Sequence, residues 1–296
     1  MNIAVRHPIN LRYIIETDVS KKIRLCGCRT SHCTDQALFA FPTESHTFLS
    51  SIIGRVSHKR EKFAAQFVPE IKSWNRELQE LESGNYKFIN PAKLARVISE
   101  KANPNAVIVG DTGNITVWLA RHFRAKGGQR FLFSGGLASM GCSLPGGIGA
   151  SLSTDRQVIS VVGDGGLAMT IMELATVKKY NVPLKIVVFN NSKLAMIKFE
   201  QEVMGYPQWG VDLINPDFST LASAYGIEAL KIDSNMEIQE AVDAMLKSNG
   251  PFLLEAIVDP NVKPMPPKIS LEQAEGYLIA SLKERIGYKP EIELNQ

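Results

Sequence analysis

"VISVVGDGGLAMT", residues 158–170, runs an apolar stretch of β-formers straight into Gly-Asp-Gly-Gly and then into a helix-like pattern. A strand that is apolar on both faces reads as a central strand of a parallel sheet covered on either side. One carboxylate wedged between glycines at the end of such a strand calls for a reason beyond packing. "LKIVVFNNSK" (184–193) repeats the arrangement and ends as abruptly in two asparagines.

Working outward, apolar strands and helical stretches alternate from Asn90 onward. "NPAKLARVISEKA" (90–102) predicts a helix with Asn90 as N-cap and Pro91 at the first helical position. "NAVIVGDTG" is a strand, "MGCSLPGGIGASL" a helix of small residues, and residues 167–180 a further helix. "PDFSTLASAYG" reads as a helix closed by Gly226, then "IEALKID" as a strand, "NMEIQEAVDAMLKS" as a helix and "PFLLEAIVD" as the last strand. "LEQAEGYLIASLKERIG" reads as a final amphipathic helix. This alternation predicts an α/β fold over residues 85–296, a doubly wound parallel sheet flanked by helices.

Residues 1–84 read differently. "LRYIIETDVS" suggests a short strand and turn, and "KKIRLCGCRTSHCTDQALFAFPTESH" shows neither helical nor strand periodicity. Residues 57–81 have helical spacing that Pro69 should interrupt, and "ESGNYKFIN" marks the domain boundary. Cys26, Cys28 and Cys33 with His32 have a spacing poorly suited to a tetrahedral zinc site, so free thiols are expected. The chain of 296 residues is 45% hydrophobic and 21% charged, an ordinary globular composition. A net charge of +3 with scattered basic residues argues against a nucleic-acid partner. No apolar run approaches the roughly 20 residues needed to span a bilayer, and no signal-peptide core is visible, so a cytoplasmic location is expected.

In an open α/β sheet ligands sit beyond the carboxyl ends of the strands. Three such ends here are polar or glycine-rich: "GDTGN" (110–114), "GDGG" (163–166) and "NNSK" (190–193). Gly165 and Gly166 precede a helix N-terminus, whose free amides favour phosphate oxygens. Asp164 would repel a phosphate unless a cation lay between them. Asp164 and Asn191 offer hard oxygens, and the carbonyl of Lys193 is a third candidate, a set suited to Mg²⁺ or Ca²⁺. Read singly, Gly-Asp-Gly is a common turn, Asn-Asn a common helix cap and Met140 ordinary core filler. No strand–GxGxxG–helix unit is present, which excludes a Rossmann dehydrogenase.

With 24 residues between GDG and NN, the two strand ends together resemble the cofactor motif of the thiamine diphosphate (TPP) enzymes. "SGGLASMGCSLPGGIGA" (134–150) is similar to the segment preceding that motif in acetolactate synthases and pyruvate oxidases. The resemblance implies that Met140 props the cofactor in a bent shape, that the Ala138 carbonyl, beside Ser139, accepts from the pyrimidine amino group, and that Gly113 and Asn114 approach the diphosphate together with Gly163, Gly165 and Gly166. It implies TPP and Mg²⁺ as cofactors and decarboxylation of a 2-oxo acid, with the thiazolium ring as electron sink.

"SKLAMIKFEQE" (192–202) looks like the pyruvate oxidases, with Glu200 where acetolactate synthases usually carry tryptophan. Glu200 and Met196 would then line the substrate end of the cofactor. "PPKISLEQAEGYLIASLKERI" resembles the tail of quinone-linked pyruvate dehydrogenases, in which electrons pass to FAD. Such enzymes also carry a pyrimidine-binding domain with an activating glutamate and a middle FAD domain. Residues 1–84 are therefore expected to be a middle-domain remnant plus linker, and residues 85–296 the TPP domain. The expected partners are a 2-oxo acid, pyruvate first, and either a homo-oligomer or a second chain carrying the pyrimidine domain. FAD would come only through domains absent from this stretch or through a partner chain. Peripheral membrane contact by the final helix is not expected, because glutamates share its polar face. Acetolactate synthase or 2-oxo acid decarboxylase activity, or a TPP-binding remnant without chemistry, stand as alternatives.

Overall fold

A computed structural model of the chain describes residues 23–26, 39–42, 65–264 and 270–287. The chain divides into two units, Met1–Ile71 and Lys72–Gln296. In the first, strands β1 (Ile23–Cys26) and β2 (Phe39–Pro42) pair in parallel, Ile23 opposite Phe39. The sequence reading places no strand there, because four residues are too few to display a period of two. "LRYIIETDVS", Cys28, His32 and Cys33 lie outside the described residues. Helix α1 (Val68–Ser83) carries Pro69 in its first turn, where no intrahelical N–H is missed. Proline therefore starts this helix instead of interrupting one.

Helix α2 (Pro91–Lys101) begins as its sequence requires, with the Asn90 side chain accepting from the amides of Ala92 at 3.0 Å and Lys93 at 3.5 Å. Strand β3 (Val107–Gly110), helix α3 (Asn114–His122), strand β4 (Arg130–Leu132), helix α4 (Ser143–Ser153) and strand β5 (Val158–Gly163) follow. Helix α5 (Asp164–Thr170), a 3₁₀ turn at Ile171–Glu173 and helix α6 (Leu174–Lys179) replace the single helix read over 167–180. Then come strand β6 (Leu184–Asn190), helices α7 (Ala195–Val203) and α8 (Phe218–Ala224), strand β7 (Glu228–Ile232), helix α9 (Ile238–Lys247), strand β8 (Phe252–Ile257) and helix α10 (Leu271–Arg285).

The six strands β3–β8 form one parallel sheet in the order β4-β3-β5-β6-β8-β7. Alternate residues feed two separate cores. Ile108, Ile159, Val161, Val187 and Leu254 pack with α2, α3 and α9, while Val109, Val158, Val162, Ile186 and Val188 pack with α4, α6 and α8. Each such side chain contributes roughly 1.5–3 kcal/mol through burial. This is the doubly wound α/β fold. Strand β4 escapes the sequence reading because it has three residues, sits at the sheet edge and leaves Arg130 and Leu132 exposed. Helix α3 escapes it too, lacking a capping side chain at Gly113.

Helix α4 shows why "SLPGGIGAS" is made of small residues. A β-carbon on Gly147 would lie 3.0 Å from Leu184 and 3.2 Å from Ser160, so the glycine lets the helix settle onto β5 and β6. Ser143 donates to the Val109 carbonyl at 2.8 Å and shares a 2.7 Å hydrogen bond with Ser160, which satisfies both buried hydroxyls.

Helix α10 corrects the amphipathic expectation. Only Gly276 and Ala280 are buried, while Leu271, Leu278, Ile279, Leu282 and Ile286 remain exposed. At its contact with α7 a β-carbon on Gly276 would strike the Val203 carbonyl, so the two helix backbones lie close. Among the described residues no helix is long and apolar enough to cross a membrane.

Asp217 caps α8, accepting from the Thr220 amide and the Ser219 hydroxyl, each at 2.7 Å, and from Lys231 Nζ at 2.9 Å. These donors, the Thr220 amide first, hold its carboxyl well below the usual aspartate range. Asp217→Ala should lower unfolding stability by about 1 kcal/mol at neutral pH. A depressed carboxyl stabilises above its unfolded value of 3.8 and loses that contribution as pH falls through its folded value. Thermal melts of wild type and variant should therefore converge as the pH drops below 3.8.

Candidate functional site

The chain leaves β3 toward β4 on one side and returns to β5 on the other, so the order of strand addition reverses between β3 and β5. Such a switch opens a crevice beyond the strand ends. An open cleft lies there, walled by the segments that follow β3, β5 and β6.

From the β3 side come Gly113 and Asn114. Gly113 has φ +110°, which side chains resist, and a β-carbon there would meet nothing within 4 Å. Its backbone therefore faces open cleft. Asn114 brings a buried Oδ1 without a hydrogen-bond partner, a polar atom that a ligand could satisfy.

From the β5 side come Gly163, Asp164, Gly165 and Gly166. Asp164 is only 3% exposed, and its Oδ2 accepts from Asn215 Nδ2 at 2.7 Å. Burial pushes its carboxyl up, opposed by Asn215 and by the amides of Gly165 and Ser192. A β-carbon on Gly165 would sit 2.7 Å from the Met140 methyl, so Met140 rests directly on the helix start and enters the cleft beside it.

From the β6 side the asparagine pair divides. Asn190 is buried and donates to Glu255 Oε1 at 2.7 Å, while its Oδ1 accepts from the Ser192 amide at 3.2 Å. Asn191 faces the cleft, and its Oδ1 accepts from the Lys193 amide at 3.0 Å. Ser192, at φ +53°, makes the left-handed turn between them. Lys193 lines the cleft while its ammonium is held by Asp212.

The cleft thus gathers Gly113, Asn114, Met140, Gly163, Asp164, Gly165, Gly166, Asn191, Lys193 and Met196. Ala138 and Ser139 do not line it; they stand exposed on the preceding loop, with Ala138 at φ +50°. Glu200 is exposed and lines an adjoining hollow with Phe199 and Tyr277, which Met196 joins to the cleft.

Two residues escaped the sequence reading. Asp111 is buried and accepts from the Gly141 amide at 3.1 Å and from Cys142 Sγ at 3.5 Å, tying the Met140 segment to the end of β3. Burial pushes its carboxyl up. Its signal was present, since it stands in the "GDTGN" tip. Asn215 had no such signal, because only the folded loop brings it to Asp164.

The donor set fits a divalent ion bridging to phosphate. No group of three or more His, Cys, Asp or Glu side chains forms a metal cluster among the described residues. One carboxylate and one carboxamide are hard but carry little charge, which would suit an ion that also holds anionic phosphate oxygens. The bare backbone of Gly113 leaves room for those oxygens.

Residues 111–256 match the family described as thiamine pyrophosphate enzyme, C-terminal TPP binding domain. The chain carries that domain. It is 35% identical over 236 residues to the putative thiamine pyrophosphate-containing protein YdaP of Bacillus subtilis, covering 79% of this chain and 41% of that protein. Over 271 residues it is 29% identical to the pyruvate oxidase of Lactiplantibacillus plantarum, covering 90% of this chain and 44% of the oxidase. With the acetolactate synthase isozyme 2 large subunit of Escherichia coli it shares 35% over 179 residues, 59% of this chain and 33% of the subunit. The matches span less than half the length of each of these relatives.

Gly165 and Gly166, adjacent in the TPP-binding domain, should respond differently to substitution. In Gly166→Ala the new methyl drives into the Asp111 carboxylate, which should cost about 1–3 kcal/mol and lower Tm. Gly165→Ala meets only the ends of flexible side chains, so it should fold normally yet bind TPP more weakly. Thermal melts paired with TPP titration separate the two outcomes.

Proposed function

We propose that this chain takes part in TPP- and Mg²⁺-dependent decarboxylation of a 2-oxo acid, pyruvate in the first instance, as the C-terminal part of a pyruvate oxidase-like or quinone-linked pyruvate dehydrogenase-like enzyme. The observation that carries this reading is the meeting of Asp164 and Asn191, from two different strand ends, at one cleft beside the bare backbone of Gly113. Bound TPP supplies a nucleophilic ring carbon and an electron sink. Asp164, Asn191 and the Lys193 carbonyl hold the ion, Gly113 and the α5 amides receive the diphosphate, and Met140 supports the cofactor from beside Gly165. Met196 sits where the cleft meets the hollow bearing Glu200, a position from which both could contact substrate.

Residues 85–296 form the diphosphate side of the site, and residues 1–84 read as a middle-domain remnant and linker. The pyrimidine side, with its activating glutamate, comes from another domain or chain, and FAD, where used, from the same source. The complex is cytoplasmic and a homo-oligomer or an assembly with a second chain.

Acetolactate synthesis is the second reading, favoured by the 35% identity to a synthase large subunit. Glu200 in place of the synthase tryptophan weighs against it. The product decides: acetate with electron transfer marks the oxidase, acetolactate the synthase, acetaldehyde a simple decarboxylase.

Calorimetry with TPP should show binding that requires Mg²⁺ and disappears with EDTA. Asp164→Ala should weaken it by at least about 100-fold, since outer-shell partners of a metal alone cost 10–100-fold. CO₂ release from pyruvate should appear only when a chain or domain bearing the pyrimidine-side glutamate is added. Mg²⁺-independent TPP binding, or full binding by Asp164→Ala, would defeat the reading.

A further inference from the structure

Asn215 joins the ends of β5 and β6 through a single side-chain amide. Its Nδ2 donates to Asp164 Oδ2 at 2.7 Å and to Asn190 Oδ1 at 3.0 Å, so both amide protons are spent on the two strand ends. The orientation of this amide follows from the network around it. The Glu255 carboxylate accepts from the Ser219 amide through Oε2 at 3.0 Å and from Asn190 Nδ2 through Oε1 at 2.7 Å. Asn190 must therefore turn Oδ1 away from Glu255, toward the Ser192 amide and Asn215. Asn215 must then present its nitrogen to Asn190, and the same nitrogen meets Asp164. The loop carrying Asn215 is anchored beside the site, where the Leu213 amide donates to the Ser192 carbonyl at 2.9 Å and the Leu194 amide to the Val211 carbonyl at 2.8 Å.

We infer that Asn215 is a positioning residue which engages Oδ2 of Asp164 and disfavours two-oxygen binding of the cation by that carboxylate, biasing the site toward a small octahedral ion such as Mg²⁺ or Mn²⁺ over Ca²⁺. This rests on the cation site proposed above. A free carboxylate can bind a metal through one oxygen or both. Ca²⁺ takes six to eight oxygens at about 2.3–2.6 Å and uses carboxylates in both ways, whereas Mg²⁺ needs a near-ideal octahedron at about 2.0–2.1 Å. A hydrogen bond on Oδ2 would compete with the ion for that oxygen and helps to fix the plane of the carboxylate. Through Asn190 the same amide steadies the turn that carries Asn191 and Lys193. One neutral side chain thus sets both strand ends relative to each other and competes for one potential ligand atom.

The test uses the 296-residue chain with TPP. The Mn²⁺ dissociation constant is read by electron paramagnetic resonance, and Mg²⁺ and Ca²⁺ are compared by displacement of Mn²⁺. Asn215→Leu keeps the approximate size and removes the donors, and Asn215→Ser is a second variant in case leucine disturbs folding, which circular dichroism checks. Both should bind Mn²⁺ about 10–100-fold more weakly, and their Mg²⁺-to-Ca²⁺ affinity ratio should shift toward Ca²⁺. A wild-type chain that binds no Mn²⁺ with TPP would overturn the cofactor reading itself. Wild-type binding accompanied by an unchanged ion ratio in a folded variant would overturn only the role given to Asn215, whether or not affinity fell.

Discussion

Asp164 is buried at the end of β5, and its hydrogen-bonding neighbours are an amide side chain and backbone N–H groups, with no ion pair among the described residues. Removing a carboxylate from water costs several kcal/mol unless a charge or several donors offset it. Neutral donors offset part of that cost, and its raised pKa reflects the remainder. A divalent cation would supply what is missing. The glycines on either side, the divided asparagine pair and the loop bearing Asn215 are all arranged about this one group.

The rest of the molecule makes that arrangement possible. A carboxylate can be held out of water at a strand end only if the sheet beneath is rigid and the helices above lie close. The first condition is met by strands β5 and β6, whose side chains alternate into two cores. The second is met by α4, whose Gly147 allows contact with Leu184 and Ser160. Asp111 adds a link of its own, pinning the Met140 segment to β3 through Gly141 and Cys142. Structure and site are coupled here: the contacts that pack the small-residue helix also fix the walls of the cleft.

Much of this was legible in the chain. The apolar strands named the parallel sheet, Asn90 and Pro91 named the start of α2, and the glycine-flanked Asp164 with Asn191 named the end of the sheet where the cleft opens. What escaped has common causes. β4 and the β1–β2 pair are too short to show a period, α3 has no capping side chain, and α10 packs through Gly276 and Ala280 while its larger apolar residues stay exposed. Apolar spacing reports the hydrophobicity of a face, and a helix held by backbone proximity does not use it.

The sequence by itself determined the alternation of elements, the polar strand ends and the oxygen-bearing residues set there, because these depend on local spacing and side-chain chemistry. Tertiary structure alone decided that Asn190 turns inward to Glu255, that Glu200 opens onto a neighbouring hollow, that Ala138 and Ser139 stand outside, and that Asn215 reaches Asp164. Those outcomes depend on where separate loops converge in space. Asn215 and Asp164 lie 51 positions apart and meet at 2.7 Å only because β5 and β6 are neighbours in the sheet and the loop after α7 folds back over their ends.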